Sequence, residues 1–164
     1  MASANRLSRI VATINRLPAF ARSQALTRFF GRMVPFTGTV GIRIATLTPD
    51  RCVIELKNRR RVQNHIGSVH AVASLLMAES ATGFLVGQNV PDDRVPVIKT
   101  IRGDYVKRAK GDMRVIASLS PDQAAMIRDT EKGETLVPVT ITDGEGREPI
   151  LIEMLWAWTP KKRD

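Results

Sequence analysis

The order of hydrophobic patterns along the chain predicts an α+β fold: an antiparallel sheet of about six strands set against one long central helix. Three observations carry that expectation. From Ile66 to Gly87 apolar residues run almost unbroken, with Ala, Leu and Met dominating, which is the composition of a helix buried on most of its surface. Before and after it lie alternating, β-branched segments bounded by turn residues. The length of 164 residues suits one domain with a single core.

The elements follow in order. Leu7, Ile10, Val11, Ile14 and Leu17 recur at helical spacing, Pro18 interrupts, and a second stripe continues through Phe20, Leu26, Phe29 and Phe30. No acidic residue occurs from Met1 to Pro49, while seven arginines do. That composition also fits a mitochondrial transit peptide; the apolar stripes favour a folded helical arm over residues 1–33. A domain over 34–160 and a basic tail over 161–164 complete the expected organisation. Thr37 to Thr48 alternates and reads as a strand; Thr48-Pro49-Asp50 is a turn, and Arg51 to Lys57 returns as the second strand of a hairpin. The long helix is expected to start at Ile66 and end near Gly83 to Gly87. Beyond a loop at Gln88 to Arg94, strands are expected over Val95–Arg108, Asp112–Leu119, Glu134–Thr142 and Pro149–Trp158. Ser120-Pro121-Asp122-Gln123 carries the signature of a capped short helix. Asp143 to Gly146 reads as a hairpin turn joining the last two strands.

Composition excludes several functions. One cysteine, Cys52, and two histidines leave no material for a disulfide framework or a multi-ligand metal centre, so no metal and no cofactor are expected. The formal charge of +9 would suit nucleic acid, an anionic membrane surface or a phosphorylated small molecule. No aromatic platform interleaves with the basic residues and no nucleic-acid motif is present, so nucleic acid is not expected as a partner. The interior Glu79, His70 and three glycines argue against membrane insertion of the long helix. A cytoplasmic location is the expectation.

Glu79 is the only formally charged residue between Ile66 and Gly87, and Ala71, Leu75, Gly83 and Val86 surround it at helical spacing. A carboxylate on such a face is costly unless it is paired, protonated or pointed out through a gap in the packing. It is therefore either a structural carboxylate, paired with an arginine or pointing out through a gap, or one tuned for acid–base or nucleophilic work. Upstream, Asn64, Gly67 and His70 gather where the helix N-terminus favours a developing negative charge. Taken singly, His70 also reads as a structural histidine and Asn64 as a cap. Basic clusters lie at Arg59-Arg60-Arg61, at Lys107-Arg108 with Lys110, and at the C-terminus.

Asn64, five residues, His70-Ala71-Val72, six residues and Glu79 together resemble the Asn-x5-His-Gly-Gly-x6-Asp/Glu signature of the PaaI-like hotdog thioesterases. Val95 to Gly111 is similar to that family's strand after the helix, and the likeness spans roughly Val34 to Pro160. The resemblance implies a hotdog fold, acyl-CoA hydrolysis and a homodimer, or a dimer of dimers, with active sites at the subunit interface. It implies Glu79 as general base or nucleophile, Asn64 positioning water or thioester, the Ala71 amide polarising the carbonyl, and His70 shaping that end. Gly67 and the basic residues Arg59, Arg60, Arg61, Lys107, Arg108 and Lys110 would bind the substrate, whose coenzyme A moiety carries phosphates. Two departures are visible: Ala71-Val72 stands for the double glycine, and the helper hydroxyl of the following strand has no clear match, Ile98 falling near its position with Thr100 a neighbour counted among the substrate-binding residues. A non-catalytic hotdog module binding acyl-CoA or lipid is the alternative, with a basic-arm adaptor for membranes or nucleic acid behind it.

Overall fold

The structure is a computed structural model in which residues 5–162 are described. Three helices open the chain: α1 (Arg6–Asn15), α2 (Ala19–Met33) and α3 (Pro35–Val40). Then come β1 (Arg43–Leu47) and β2 (Arg51–Leu56), a single 3-10 turn at Arg60–Val62, and the central helix α4 (Ala71–Asn89). Strands β3 (Arg94–Tyr105) and β4 (Met113–Ser118), helix α5 (Pro121–Asp129), and strands β5 (Gly133–Leu136), β6 (Val139–Thr142) and β7 (Ile150–Pro160) finish it.

The strands form two antiparallel sheets wrapped around α4, in the orders β1-β2-β4-β6 and β3-β7-β5. This corrects three expectations. The single strand expected over Glu134–Thr142 is two, because Pro138 cannot donate to a ladder and the chain changes sheets there. The Val137 N–H still reaches the Met154 carbonyl on β7 at 3.0 Å, while the Pro138 carbonyl accepts from Ser118 on β4 at 3.1 Å, so these two residues stitch the sheets together. Consequently the turn at Asp143–Gly146 joins strands of different sheets and closes no hairpin. The strand expected from Thr37 begins only at Arg43: Pro35 opens a short helix at its first position and Gly41, at φ 76°, closes it in the left-handed region.

Helix α4 begins at Ala71 rather than Ile66. Gly67 sits at φ 75° in a turn, and His70 caps the helix by accepting the Val72 N–H on its Nδ1 at 3.1 Å. At the other end Gln88 and Asn89 donate to the Thr48 and Pro49 carbonyls at 3.1 and 2.8 Å, which ties α4 to the β1–β2 turn. The capped helix α5 has the expected form, with the Ser120–Gln123 capping box made in both directions.

One core holds everything. Met77, Ala78, Ala81 and Leu85 of α4 are buried against Ile54, Val115 and Ile141 on one sheet and Met154 and Trp158 on the other. The N-terminal helices enter the same core: Leu26 and Phe30 have no exposed surface, and Phe30 packs on Phe84 of α4 with ring centroids 4.1 Å apart.

Candidate active site

Most of α4 is buried, but Ala71, Leu75, Glu79, Gly83 and Gly87 are only half-covered. Their four-residue spacing lines them up along one face of the helix. Glu79 points from this stripe into a cleft of about 240 Å³ shared with Leu76, Phe84 and Trp156. Among the described residues no arginine meets it. Burial alone raises the Glu79 carboxyl above the ordinary carboxylate range, with no charge or hydrogen bond opposing it. The carboxylate thus faces out through a gap in the packing, an arrangement open both to a structural carboxylate and to one tuned for chemistry.

At the start of α4 a second, smaller pocket of about 130 Å³ brings Asn64, Ala71, Tyr105, Lys107 and Arg108 together. Asn64 organises the loop: its Oδ1 accepts the N–H groups of Ile66 and Ser68, both at 3.1 Å. Its side-chain NH2 has no partner among the described residues. Gly67 supplies the positive φ this turn needs and is exposed. Arg108 braces the same loop from outside, donating to the Ile66 carbonyl and to Ser68 Oγ at 3.2 Å. Tyr105 donates to the Ala71 carbonyl at 2.8 Å, fixing the end of β3 against the helix. The Ala71 N–H, at the first helical position, makes no hydrogen bond among the described residues. His70 spends its Nδ1 on capping, as the acceptor of the Val72 N–H.

The other sequence-singled residues fall in separate places. Arg59 and Arg61 line a groove with Arg43 and Gly41, Arg61 packing its guanidinium where a Gly41 side chain would stand. That groove shares no residue with the Glu79 cleft or the Asn64 pocket, and Arg60 lines none of the three. Lys110 is held in an ion pair with Glu145 at 3.1 Å. Thr100 faces away from the helix. A bulge between Ile98 and Thr100 shifts the β3 register, so Thr100 pairs with Leu155 on the outer face while Ile98 and Ile101 pair with the buried Trp156 and Met154. Thr100 therefore does not reach the helix, and the β3 hydroxyl that does, that of Tyr105, is spent on the Ala71 carbonyl.

Comparisons with known proteins place this geometry. Residues 22–158 match a family profile described as a domain of unknown function, DUF4442. The chain belongs to the DUF4442 family. A search of curated proteins gave no match. Among solved structures, this DUF4442 chain superposes on a Pseudomonas aeruginosa protein of unknown function described as a probable thioesterase. The TM-score is 0.74 at 23% identity, over 88% of this chain and 97% of that one. A thioesterase from Haemophilus influenzae gives 0.65 at 12% identity, over 88% and 92%. A thioesterase family protein from Silicibacter pomeroyi gives 0.66 at 17%, over 82% and 96%. At these identities the likeness establishes the fold, and the DUF4442 chain has the hotdog fold of proteins named thioesterases.

Two features of the DUF4442 site were not read from sequence. Leu7, Met33 and Val34 of the N-terminal helices line the Glu79 cleft. Tyr105 and Arg108 hold the helix start and its loop. The first depends on contacts more than forty residues apart, which local periodicity does not encode. The second had a signal: the Tyr before a basic turn belongs to the resemblance and Arg108 was expected at the substrate, but neither was expected to brace the helix start.

Proposed function

We propose that the protein is a thioesterase that hydrolyses acyl-CoA to the free acid and coenzyme A, without metal or further cofactor, in a site shared by two copies of the chain. The observation that carries this reading is Glu79: an unpaired carboxylate, half-buried in an apolar cleft of a hotdog fold, with burial raising its proton affinity.

Sharing follows from distance. Ala71 and Glu79 are eight residues apart on one helix, so about 12 Å separates them along the axis. A reacting carbonyl must lie roughly 3 Å from both an oxyanion donor and the attacking group. One chain cannot meet both conditions; a two-fold neighbour with its helix running antiparallel can. The long edge of β3, which pairs only with β7 and exposes Val95 and Val97, is an unpaired edge on which such a neighbour would seat.

In this reading the Glu79 carboxylate takes a proton from water as the water oxygen adds to the thioester carbonyl carbon. The oxyanion is held by the Ala71 N–H of the partner copy, with the free NH2 of Asn64 beside it. Collapse breaks the C–S bond, and protonated Glu79 returns the proton to the departing thiolate. Lys107, at the Asn64 pocket, is the cation best placed for the phosphates of the leaving group. Arg59 and Arg61 lie in another groove of the same chain, so they could reach the substrate only across a subunit boundary. A non-catalytic acyl-binding module is the second reading, favoured by the outward Thr100 and by Val72, 53% exposed where a glycine would leave room. Steady-state hydrolysis of an acyl-CoA panel decides. Wild-type protein should release thiol, and folded Glu79→Gln should release it at least about 100-fold more slowly; equal rates would remove Glu79 from the chemistry.

A further inference from the structure

The cleft that holds Glu79 is closed by an element outside the matched family region. The match begins at residue 22, inside α2, whereas Leu7 on α1 reaches the cleft wall. We infer that this cleft is the acyl-chain subsite, that it takes unbranched aliphatic chains of medium length, and that Leu7 forms its end wall. The inference rests on the thioesterase reading for the position of the thioester, and extends it to substrate class.

The floor of the cleft is the α4 stripe running from Glu79 through Gly83 to Gly87. The Trp156 ring edge fills the space over Gly83 and Leu7 that over Gly87, so a narrow chain would run in the cleft between that ring and the arm. The walls are apolar: Met33 and Val34 from the arm on one side, Pro96 and Trp156 from the sheet on the other. Only Glu79 and Ser80 bring free polar side-chain groups, because the Trp156 indole N–H is spent on Thr82 Oγ1 at 2.8 Å. Nothing there reads a polar or charged acyl group, and burying one would leave it unpaired.

Length follows from the helix. Glu79 to Gly87 is eight residues, about 12 Å of rise. An extended chain advances about 1.2 Å per bond, taking a peptide unit as three bonds, so the subsite holds roughly ten bonds from the reacting end. Leu7 ends it: its Cδ2 lies 3.4 Å from where a Gly87 side chain would begin. The wall is pinned. Asn5, buried and capping α1, donates its side-chain N–H groups to the Gly87 and Val90 carbonyls at 2.7 and 2.5 Å, and its Oδ1 accepts the Ser8 N–H at 2.7 Å. The orphan carbonyls at the end of α4 thus fix the start of α1, which holds Leu7 over Gly87.

The test uses full-length protein and straight-chain acyl-CoAs in two-carbon steps from butanoyl to octadecanoyl, with phenylacetyl-CoA as the aryl arm. Wild type should peak in kcat/KM near ~10 carbons, rising about fourfold per added methylene below that length. Leu7→Ala should move the peak at least one step longer, and Gly87→Val should move it shorter. Binding of the non-hydrolysable thioether analogues to Glu79→Gln protein should follow the same order. If hydrolysis proceeds but both folded variants keep the wild-type length profile, or if phenylacetyl-CoA is preferred, the subsite is wrong while the hydrolase reading stands. If nothing is hydrolysed yet analogue binding shifts with Leu7→Ala and Gly87→Val, the subsite stands and the hydrolase reading falls.

Discussion

Replacing Gly83 by Ala sets two effects against each other. An interior helical Gly→Ala change is worth about 1 kcal/mol of stability from propensity alone. Here, however, the new Cβ would stand 2.7 Å from both Cη2 and Cζ2 of Trp156. The ring cannot step aside cheaply, since its Nε1 is bonded to the buried Thr82 hydroxyl at 2.8 Å. Overpacking of this kind costs about 1–3 kcal/mol, and swinging the indole free leaves a buried N–H unmade for a further 1–3 kcal/mol or so. Gly83→Ala should therefore lower stability by roughly 1–5 kcal/mol once the propensity gain is subtracted. The assay is urea unfolding at fixed protein concentration, read as a lower midpoint with an unchanged slope. In a Trp156→Phe background, where those ring atoms are gone, Gly83→Ala should turn stabilising. A stabilising Gly83→Ala in the wild-type background would refute the claim that Trp156 is locked against the helix.

Three further predictions concern Glu79 and the shared site. Because burial raises the Glu79 carboxyl above its ordinary value of 4.5, the folded state disfavours the ionised form. Its cost is absent below pH 4.5 and grows as pH rises toward the folded value. Thermal scans should then show Glu79→Gln melting higher than wild type at neutral pH, with the gap closing in acid; the half-exposed position keeps the gap modest. For the same reason kcat/KM should fall on the acid side through a pKa above 4.5, and a flat profile down to that pH would contradict the tuned base. Val72, 53% exposed at the first turn of α4, touches little within its own chain, so Val72→Lys should leave a folded protein that light scattering finds monomeric and that no longer hydrolyses thioesters. A monomer with full activity would defeat the shared site.

How much of this was legible in the sequence depends on the range of the interaction. Glu79 stood out because one charge in an apolar helix violates a local rule, and the structure keeps it unpaired. The α5 cap at Ser120–Gln123 is likewise four consecutive residues acting on each other. The start of α4 was misplaced by five residues because Ile66 and Val69 extend the apolar run of the helix, while Asn64 and Gly67 turn the backbone through hydrogen bonds that composition does not reveal. Pro138 marked the break in Glu134–Thr142, but that the break moves the chain between sheets is decided by β4 and β7 on either side. Thr100 was set facing outward by a one-residue bulge, which flips every later side chain on β3. The arm over the cleft depends on Asn5 meeting carbonyls more than eighty residues away, a contact with no local trace.

The central claim is that Glu79 of one copy works with the helix start of the other, and mixing subunits tests it directly. Ala71→Pro removes the backbone N–H at a position where the first helical turn tolerates Pro, after a residue already extended at φ −60°, ψ 141°. Glu79→Gln and Ala71→Pro dimers should each be inactive. After denaturation and joint refolding in equal amounts, half the dimers are hybrids with one intact site of two. Hydrolysis should return to about a quarter of the wild-type rate. If Glu79 and Ala71 acted within one chain, no hybrid would hold an intact site, and the mixture would stay as inactive as its parents.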